Sequence, residues 1–386
     1  RAGMQAAREA GEAGERVLLV EQMRWLGGNI EKPTTDADTL AEMGNVTVMT
    51  RTTAFGQYDG NCFALVERVA DHVPVPPEGQ PRQRSWVARA KRVVFATGAH
   101  ERPLVFRNND LPGVMLASAA RDYVNRFAAR PGRNAVVFTN NDSAYEATLD
   151  LSAAGVDVSF LVDARAAIPA TLAAKVREAG IEILAGAVVT RAKGFGKLRA
   201  VDVAGLSSDG KSVVAPKRTV VCDLLAMSGG WSPVVHLMCH KGGRPSYDPA
   251  RLAFLPGDLL DLNQSAVGGC AGDWKDELPP RELWKIPQPE GGTGKAFLDF
   301  QHDVSTKDVE LAHREGYVSV EHLKRYTMLG MATDQGKTAN IVGLALMAEA
   351  RGVSIPEVGT TTFRPPYTPT ALGAVAAGEV GRNFVP

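Results

Sequence analysis

"RAGMQAAREAGEAGERVLLVEQ", residues 1–22, decides the fold. Apolar and small residues recur at helical spacing up to a glycine break, and "RVLLVE" is a short apolar run ending in an acid. That order, helix then strand then acid, is the second half of a dinucleotide-binding unit. In such a unit a glycine-rich turn and the helix N-terminus cradle a pyrophosphate, and an acid about 20 residues further on takes a ribose hydroxyl. Gly3 stands where the third glycine of G-x-G-x-x-G belongs, and Glu21, followed by Gln22, stands where the acid belongs. The first strand and the first two glycines are not in this stretch. The competing reading is an amphipathic helix and strand with a chance glycine.

Two later stretches favour the first reading. "VVFATGAHERP" (93–103) is a buried-type strand ending in Ala96-Thr97-Gly98, small residues that let the chain pass close to a cofactor. "VGGCAGDW" (267–274) supplies Gly272-Asp273 at the end of a short strand, an acid placed for a ribose or ribityl group. Alternating apolar residues over 46–69 predict a hairpin, and "PVPPEGQPRQR" (74–84) an exposed loop.

A second unit opens at "PGRNAVVFTNNDSAYEATLDLSAAGVDVSFLVDAR" (131–165), a β-α-β pattern ending at Asp163. Its turn, "TNNDSA", carries Asn and Asp where a phosphate loop carries glycine. Their side chains crowd a pyrophosphate, and Asp142 beside Asp163 repels one, so this reads as a Rossmann-like unit with a degenerate loop. Helices are predicted over 306–317 and 337–352 in a Pro- and Gly-rich last third.

The fold class is therefore α/β: a two-dinucleotide-binding-domain, flavoprotein-like, Rossmann-type fold with a C-terminal interface extension. The expected domains are 1–130 with 225–274, then 131–224, then 275–386. Lys plus Arg and Asp plus Glu both total 43, which points away from nucleic acid and from a polybasic membrane patch. No apolar run approaches the roughly 20 residues of a bilayer span. The four cysteines, Cys62, Cys222, Cys239 and Cys270, form no C-x-x-C, which argues against a disulfide reductase and for a reduced, cytoplasmic protein. His236 and His240 share helical spacing, but no third metal ligand is identifiable, so no metal site is expected. No catalytic acid, base or nucleophile is assigned.

"FATGAHERPLVFRNNDLPGVMLASAARDYVNRF", "VVFTNNDSAY", "CDLLAMSGGWSPVVHL", "TMLGMATDQGKTAN" and "EVGTTTFRPPYTP", in that order, make the chain closely similar to the alpha subunits of heterotetrameric sarcosine oxidases. The likeness covers nearly the whole chain. It implies NAD in this chain, FMN at the interface with a beta subunit, FAD in beta, tetrahydrofolate in a further C-terminal domain, zinc in a delta subunit, and a gamma subunit. The complex oxidises a small amine, sarcosine, to glycine with hydrogen peroxide, the amine site lying outside this chain. Carried onto these residues, the NAD site uses Gly3, Glu21, Gln22, the Gly27–Gly28 turn, Thr52 and Thr53, Ala96, Thr97, Gly98 and, last, Gly272 and Asp273. Residues 313–340 are the expected alpha–beta face.

The family also places a strand with G-x-G directly before Arg1-Ala2-Gly3. Without it a sheet lacks its central member and exposes unpaired edges. The sequence thus reads as a shortened version of a longer chain, with segments missing before Arg1, near Pro33, near Trp274 and after Pro386. Rival readings are a stand-alone NAD(P)H-dependent flavin oxidoreductase, a subunit of another amine- or opine-oxidising complex, and an assembly subunit whose NAD is purely structural.

Overall fold

The computed structural model describes residues 1–28, 35–274, 276–288 and 294–376. The joins expected near Pro33 and after Pro386 lie outside the described residues; Trp274 is described and its neighbour Lys275 is not.

The second unit has the best-formed core. Strands Asn134–Thr139, Asp157–Asp163, Glu182–Ala185, Leu224–Ser228 and Val114–Leu116 make a five-stranded sheet, every pairing parallel. Sheets of this kind are covered on both faces, so their strands are apolar throughout. Successive side chains point to opposite faces. Ala135, Val137, Leu224 and Ala226 therefore pack on the helices Ser143–Ala153, Ala117–Phe127 and Ala170–Glu178. Val136, Phe138, Leu225 and Met227 pack on a three-stranded antiparallel sheet, Ala187–Gly194, Leu198–Leu206 and Val213–Val221.

This pairing corrects the expected domain edges. Val114–Leu116 and its helix, expected with 1–130, and the strand Leu224–Ser228, expected to return with 225–274, both belong to the second sheet. The hydrogen-bond ladder between distant strands sets that boundary, and no local pattern reports it.

The first unit is built differently. Val17–Val20 pairs in parallel with Val46–Met49, and Val93–Phe95 pairs in parallel with Gln264–Ala266. The two pairs share no ladder. The helix Ala2–Glu12 packs on a strand of each pair. Residues 52–58 and 62–68 form the expected hairpin, joined by Gln83–Arg89 as a third strand, while Val46–Met49 belongs to the parallel pair instead.

The last third is a helical cluster. Thr306–Arg314 and Asn340–Arg351 match the two expected helices, and a short third, Val320–Thr327, lies between them. Ser305 and Asp308 form a reciprocal capping box that fixes where the first begins. Leu323, Val309, Met347 and Leu298 close this core.

Candidate dinucleotide cleft

Three backbone segments converge because two of them lack side chains at the crossing. A Cβ on Gly3 would lie 2.7 Å from the Cβ of Ala96, closer than packed carbon atoms sit. The start of the helix Ala2–Glu12 can reach the Ala96-Thr97-Gly98 turn only with glycine there. The third segment, 267–273, is drawn in by Thr97, whose hydroxyl donates to the Val234 carbonyl at 2.7 Å and lies 3.0 Å from Cys270 Sγ.

Between them lies a cleft of about 2810 Å³. An ordinary small-molecule pocket holds roughly 300–1,000 Å³. Val17–Val20 and Val93–Phe95, members of separate strand pairs, both line the cleft, and Leu18 and Val94 are exposed at 44% and 41%.

Gly3, Glu21, Gln22, Gly27, Gly28, Thr52, Thr53, Ala96, Thr97, Gly98 and Asp273 all line this one cleft. Gly272 does not. It turns the chain with φ of 76°, faces Leu255 and Arg251, and gives its carbonyl to Arg251 Nε at 2.9 Å. Glu21 closes the strand end: its amide donates to Met49 O, its carbonyl accepts from Thr52 N, and Oε1 accepts from Met23 N at 2.8 Å. The Thr52 amide is thus already used, and its hydroxyl donates to Thr50 O. The Gly28 carbonyl accepts from Arg126. Arg1, Ala2 and Gly3, at the start of the first helix, line the cleft, so the helix's positive end lies at it.

Further residues complete the wall. Tyr367 and Thr338, from the last third, line the same cleft. The Tyr367 amide donates to Phe55 O at 2.7 Å, and its hydroxyl lies 3.0 Å from His100 Nε2. Lys337 sits 4.4 Å above the Tyr367 ring and donates to its carbonyl at 2.7 Å. Burial and the Lys337 charge hold His100 down to about 4, so its ring is neutral at pH 7. His236, ring centroid 4.3 Å from Phe363, is held down to about 3, first by burial and then by Lys337. Glu101 also lines the cleft and serves as a cap in trans. Its Oε2 accepts from Ser118 N and Oγ at 2.8 and 2.6 Å, at the start of Ala117–Phe127, and burial pushes its carboxyl up to about 6. The four cysteines are unpaired; burial raises Cys222 and Cys239 to about 12 and raises Cys270 as well, leaving three thiols inert as nucleophiles. Among the described residues no group of His, Cys, Asp and Glu is placed to hold a metal.

Residues 1–245 match the family described as pyridine nucleotide-disulphide oxidoreductase. The chain belongs to that family. It is a family of flavin- and nicotinamide-dinucleotide-binding oxidoreductases, here without the paired thiols of its disulphide reductases. Residues 293–379 match the sarcosine oxidase A3 domain. The sarcosine oxidase alpha subunit of Rhizobium meliloti (strain 1021) is 42% identical across all of this chain and 42% of its own length. The alpha subunit of Corynebacterium sp. (strain P-1) is 37% identical across all of this chain and 45% of its own. The resemblance read from the motifs is thereby borne out, and the chain spans less than half the length of these relatives. Among solved structures, L-proline dehydrogenase from P. horikoshii is alike in fold, with a TM-score of 0.70 at 20% identity over 97% of this chain and 77% of that one. Thioredoxin reductase of T. acidophilum gives 0.51 at 14% identity over 69% and 86%. No helix among the described residues is long and apolar enough to cross a membrane.

Gly3→Val is expected to destabilise the first unit by about 2 kcal/mol, since the added carbons enter an already closed contact. Thermal unfolding followed by tryptophan fluorescence measures it, and an unchanged midpoint would show that the helix start can move away from Ala96.

Proposed function

We propose that this chain is the NAD-carrying alpha subunit of a multi-subunit sarcosine oxidase. The complex demethylates sarcosine to glycine, releases hydrogen peroxide and passes the one-carbon unit to tetrahydrofolate. The observation that carries the reading is the convergence of Gly3, Glu21 and Ala96-Thr97-Gly98 on one cleft at the start of the helix Ala2–Glu12.

The residues fit a dinucleotide. The amides at the start of Ala2–Glu12 meet phosphate, and Gly3 permits its close approach. Glu21 has committed Oε1 to Met23 and keeps Oε2 for a ribose hydroxyl. His100, neutral, and Tyr367 close the far wall with a hydrogen-bonded pair instead of a charge. When bound, NAD supplies a nicotinamide able to accept or donate hydride.

The partners in this reading are beta, gamma and delta subunits. FAD and the amine site belong to beta, zinc to delta, and FMN to the alpha–beta interface. Residues 313–340 suit such a face. Tyr317, Val318, Tyr326, Met328 and Met331 are all exposed there, and the Tyr317 and Tyr326 rings stack with centroids 4.6 Å apart. This chain's share is to hold the dinucleotide and the interface, with no acid, base or nucleophile of the amine chemistry. A second reading places the chain in a homologous complex that oxidises an opine. It is favoured by an opine oxidase component of Rhizobium meliloti (strain 1021), 24% identical over 75% of this chain and 76% of its own length.

Acid release of cofactors from the assembled protein is expected to yield NAD close to one per alpha chain. Glu21→Gln should weaken its retention about tenfold, because a charge-assisted hydrogen bond becomes a neutral one. FAD released from this cleft in place of NAD would overturn the assignment. Turnover with an opine and none with sarcosine would select the second reading.

A further inference from the structure

The five-stranded sheet has a switch point of its own. From Asn134–Thr139 the chain moves outward to Asp157–Asp163 on one side, while Leu224–Ser228 pairs on the other. Open α/β sheets take their ligands in the crevice beyond the carboxyl ends of the strands at such a point. Here the chain itself lies across that crevice.

The amides of Glu277 and Leu278 donate to Asp142 Oδ2 at 2.6 and 3.3 Å. Arg281 and Asn140 exchange two bonds: the Arg281 amide donates to the Asn140 carbonyl at 2.9 Å, and Asn140 Nδ2 donates to the Arg281 carbonyl at 2.8 Å. The Arg281 guanidinium continues to the carbonyls of Ala164, Ser207 and Ser208 at 2.9, 3.1 and 3.1 Å. Leu283 and Ile286 are buried in the core that Phe138 and Val188 share.

The polarity is the reverse of a phosphate site. There, protein amides donate to a bound anion. Here the anion is the protein's own Asp142, at the start of Ser143–Ala153, and the donors come from the crossing segment. Arg165 is already engaged by Asp142 at 2.7 Å and Asp163 at 2.8 Å, so an incoming phosphate meets two carboxylates and finds their cation committed.

We propose that residues 276–286 are a built-in occupant of the second dinucleotide crevice, so that the chain takes one dinucleotide instead of two and draws no hydride from free NAD(P)H at that site. Only the count of one rests on the function proposed above; the occupancy of the second crevice stands apart from it. The rival stand-alone NAD(P)H-dependent reductase needs that crevice open.

The test is hydrogen–deuterium exchange on the assembled protein with and without added NADH and NADPH, beside equilibrium dialysis. The expected result is no second equivalent taken up and unchanged exchange at Glu277, Leu278 and Arg281. Saturable uptake of a second equivalent, with altered protection at those amides, overturns the proposal. Arg281→Gln, which removes the guanidinium bonds to three carbonyls, should speed exchange at Glu277 and Leu278 about tenfold or more while the first cleft keeps its dinucleotide. Unchanged exchange in that variant also overturns it. A preparation with no NAD in the first cleft would defeat the function proposed above and leave these amides still readable.

Discussion

Replacing Arg165 with alanine is expected to cost the second unit about 3–5 kcal/mol, the range for removing one partner of a buried ion pair. Its guanidinium is 6% exposed and holds Asp142 and Asp163, themselves 3% and 0% exposed. Nε also donates to Asp163 Oδ1 at 3.1 Å, and Tyr145 donates to Oδ2 at 2.8 Å. Alanine leaves two carboxylates in the interior with too few donors. Asp142→Asn in the same chain should recover part of the loss, because one uncompensated charge is gone. Urea unfolding at pH 7.5 measures both. A loss below about 1 kcal/mol at pH 7.5 would mean that the triad contributes no more than a surface pair.

Acidification is expected to weaken the joint between the first unit and the helical last third. His100 and His236 have folded pKa values of about 4 and about 3, both below the unfolded 6.5. For a base depressed in this way, stability is complete above pH 6.5 and is lost as pH falls toward the folded value, since the unfolded chain binds the extra proton. At roughly 1.4 kcal/mol per unit for each ring, the pair forfeits about 5 kcal/mol between pH 6.5 and 4.5.

Other groups face the same region. Lys337 stays cationic and adds to the penalty for charging either ring. His240, also lowered to about 4, is more exposed, so its contribution is screened. Glu101 acts in the opposite sense. Its folded value of about 6 lies above the unfolded 4.5, so protonation through that window stabilises by about 2 kcal/mol. In the second unit, away from these rings, Asp276, raised to about 6 by burial and then by Asp142, adds a smaller gain because it is partly exposed. The net expectation is a loss of about 3 kcal/mol, a substantial fraction of a 5–15 kcal/mol total. Urea midpoints at pH 7 and 4.5 should differ accordingly, and His100→Gln with His236→Gln should flatten the difference. Equal midpoints in the unsubstituted protein would refute the assignment of neutral, buried rings.

The parts of this fold that can be read from sequence are those imposed by the backbone. Gly3, Glu21 and Ala96-Thr97-Gly98 could be placed in advance because close approach and strand ends demand particular residue types. The β-α-β pattern over 131–165 announced the strands Asn134–Thr139 and Asp157–Asp163 and the helix between them. Contacts made across long separations left no local trace. Nothing near Val114 says that it pairs with Leu225, and nothing near Tyr367 says that it meets Phe55 and His100. Gly272 has the right company in sequence but turns toward Leu255, because an αL turn and a cofactor contact draw on the same residue. Val320–Thr327 escaped notice since it buries only Val320 and Leu323, too few positions to establish a period. The polar turn at 140–142 was legible as unfit for phosphate. The segment that crosses it, far along the chain, was not.

The cleft draws its walls from the beginning, middle and end of the chain, and this bears on the order of events during synthesis. The five-stranded sheet takes its members from 114–228 and can close as soon as that length has emerged. The cleft cannot. Its helix Ala2–Glu12 and strand Val17–Val20 precede their partners in the chain, yet they wait for 264–273 and then for Thr338 and Tyr367 before the pocket has all its sides. Loop closure over such separations is slow. The second unit can therefore close before the cleft does, and completion of the cleft is the later step, with residues 1–22 held in the interim by Val46–Met49 and the packing of their own helix.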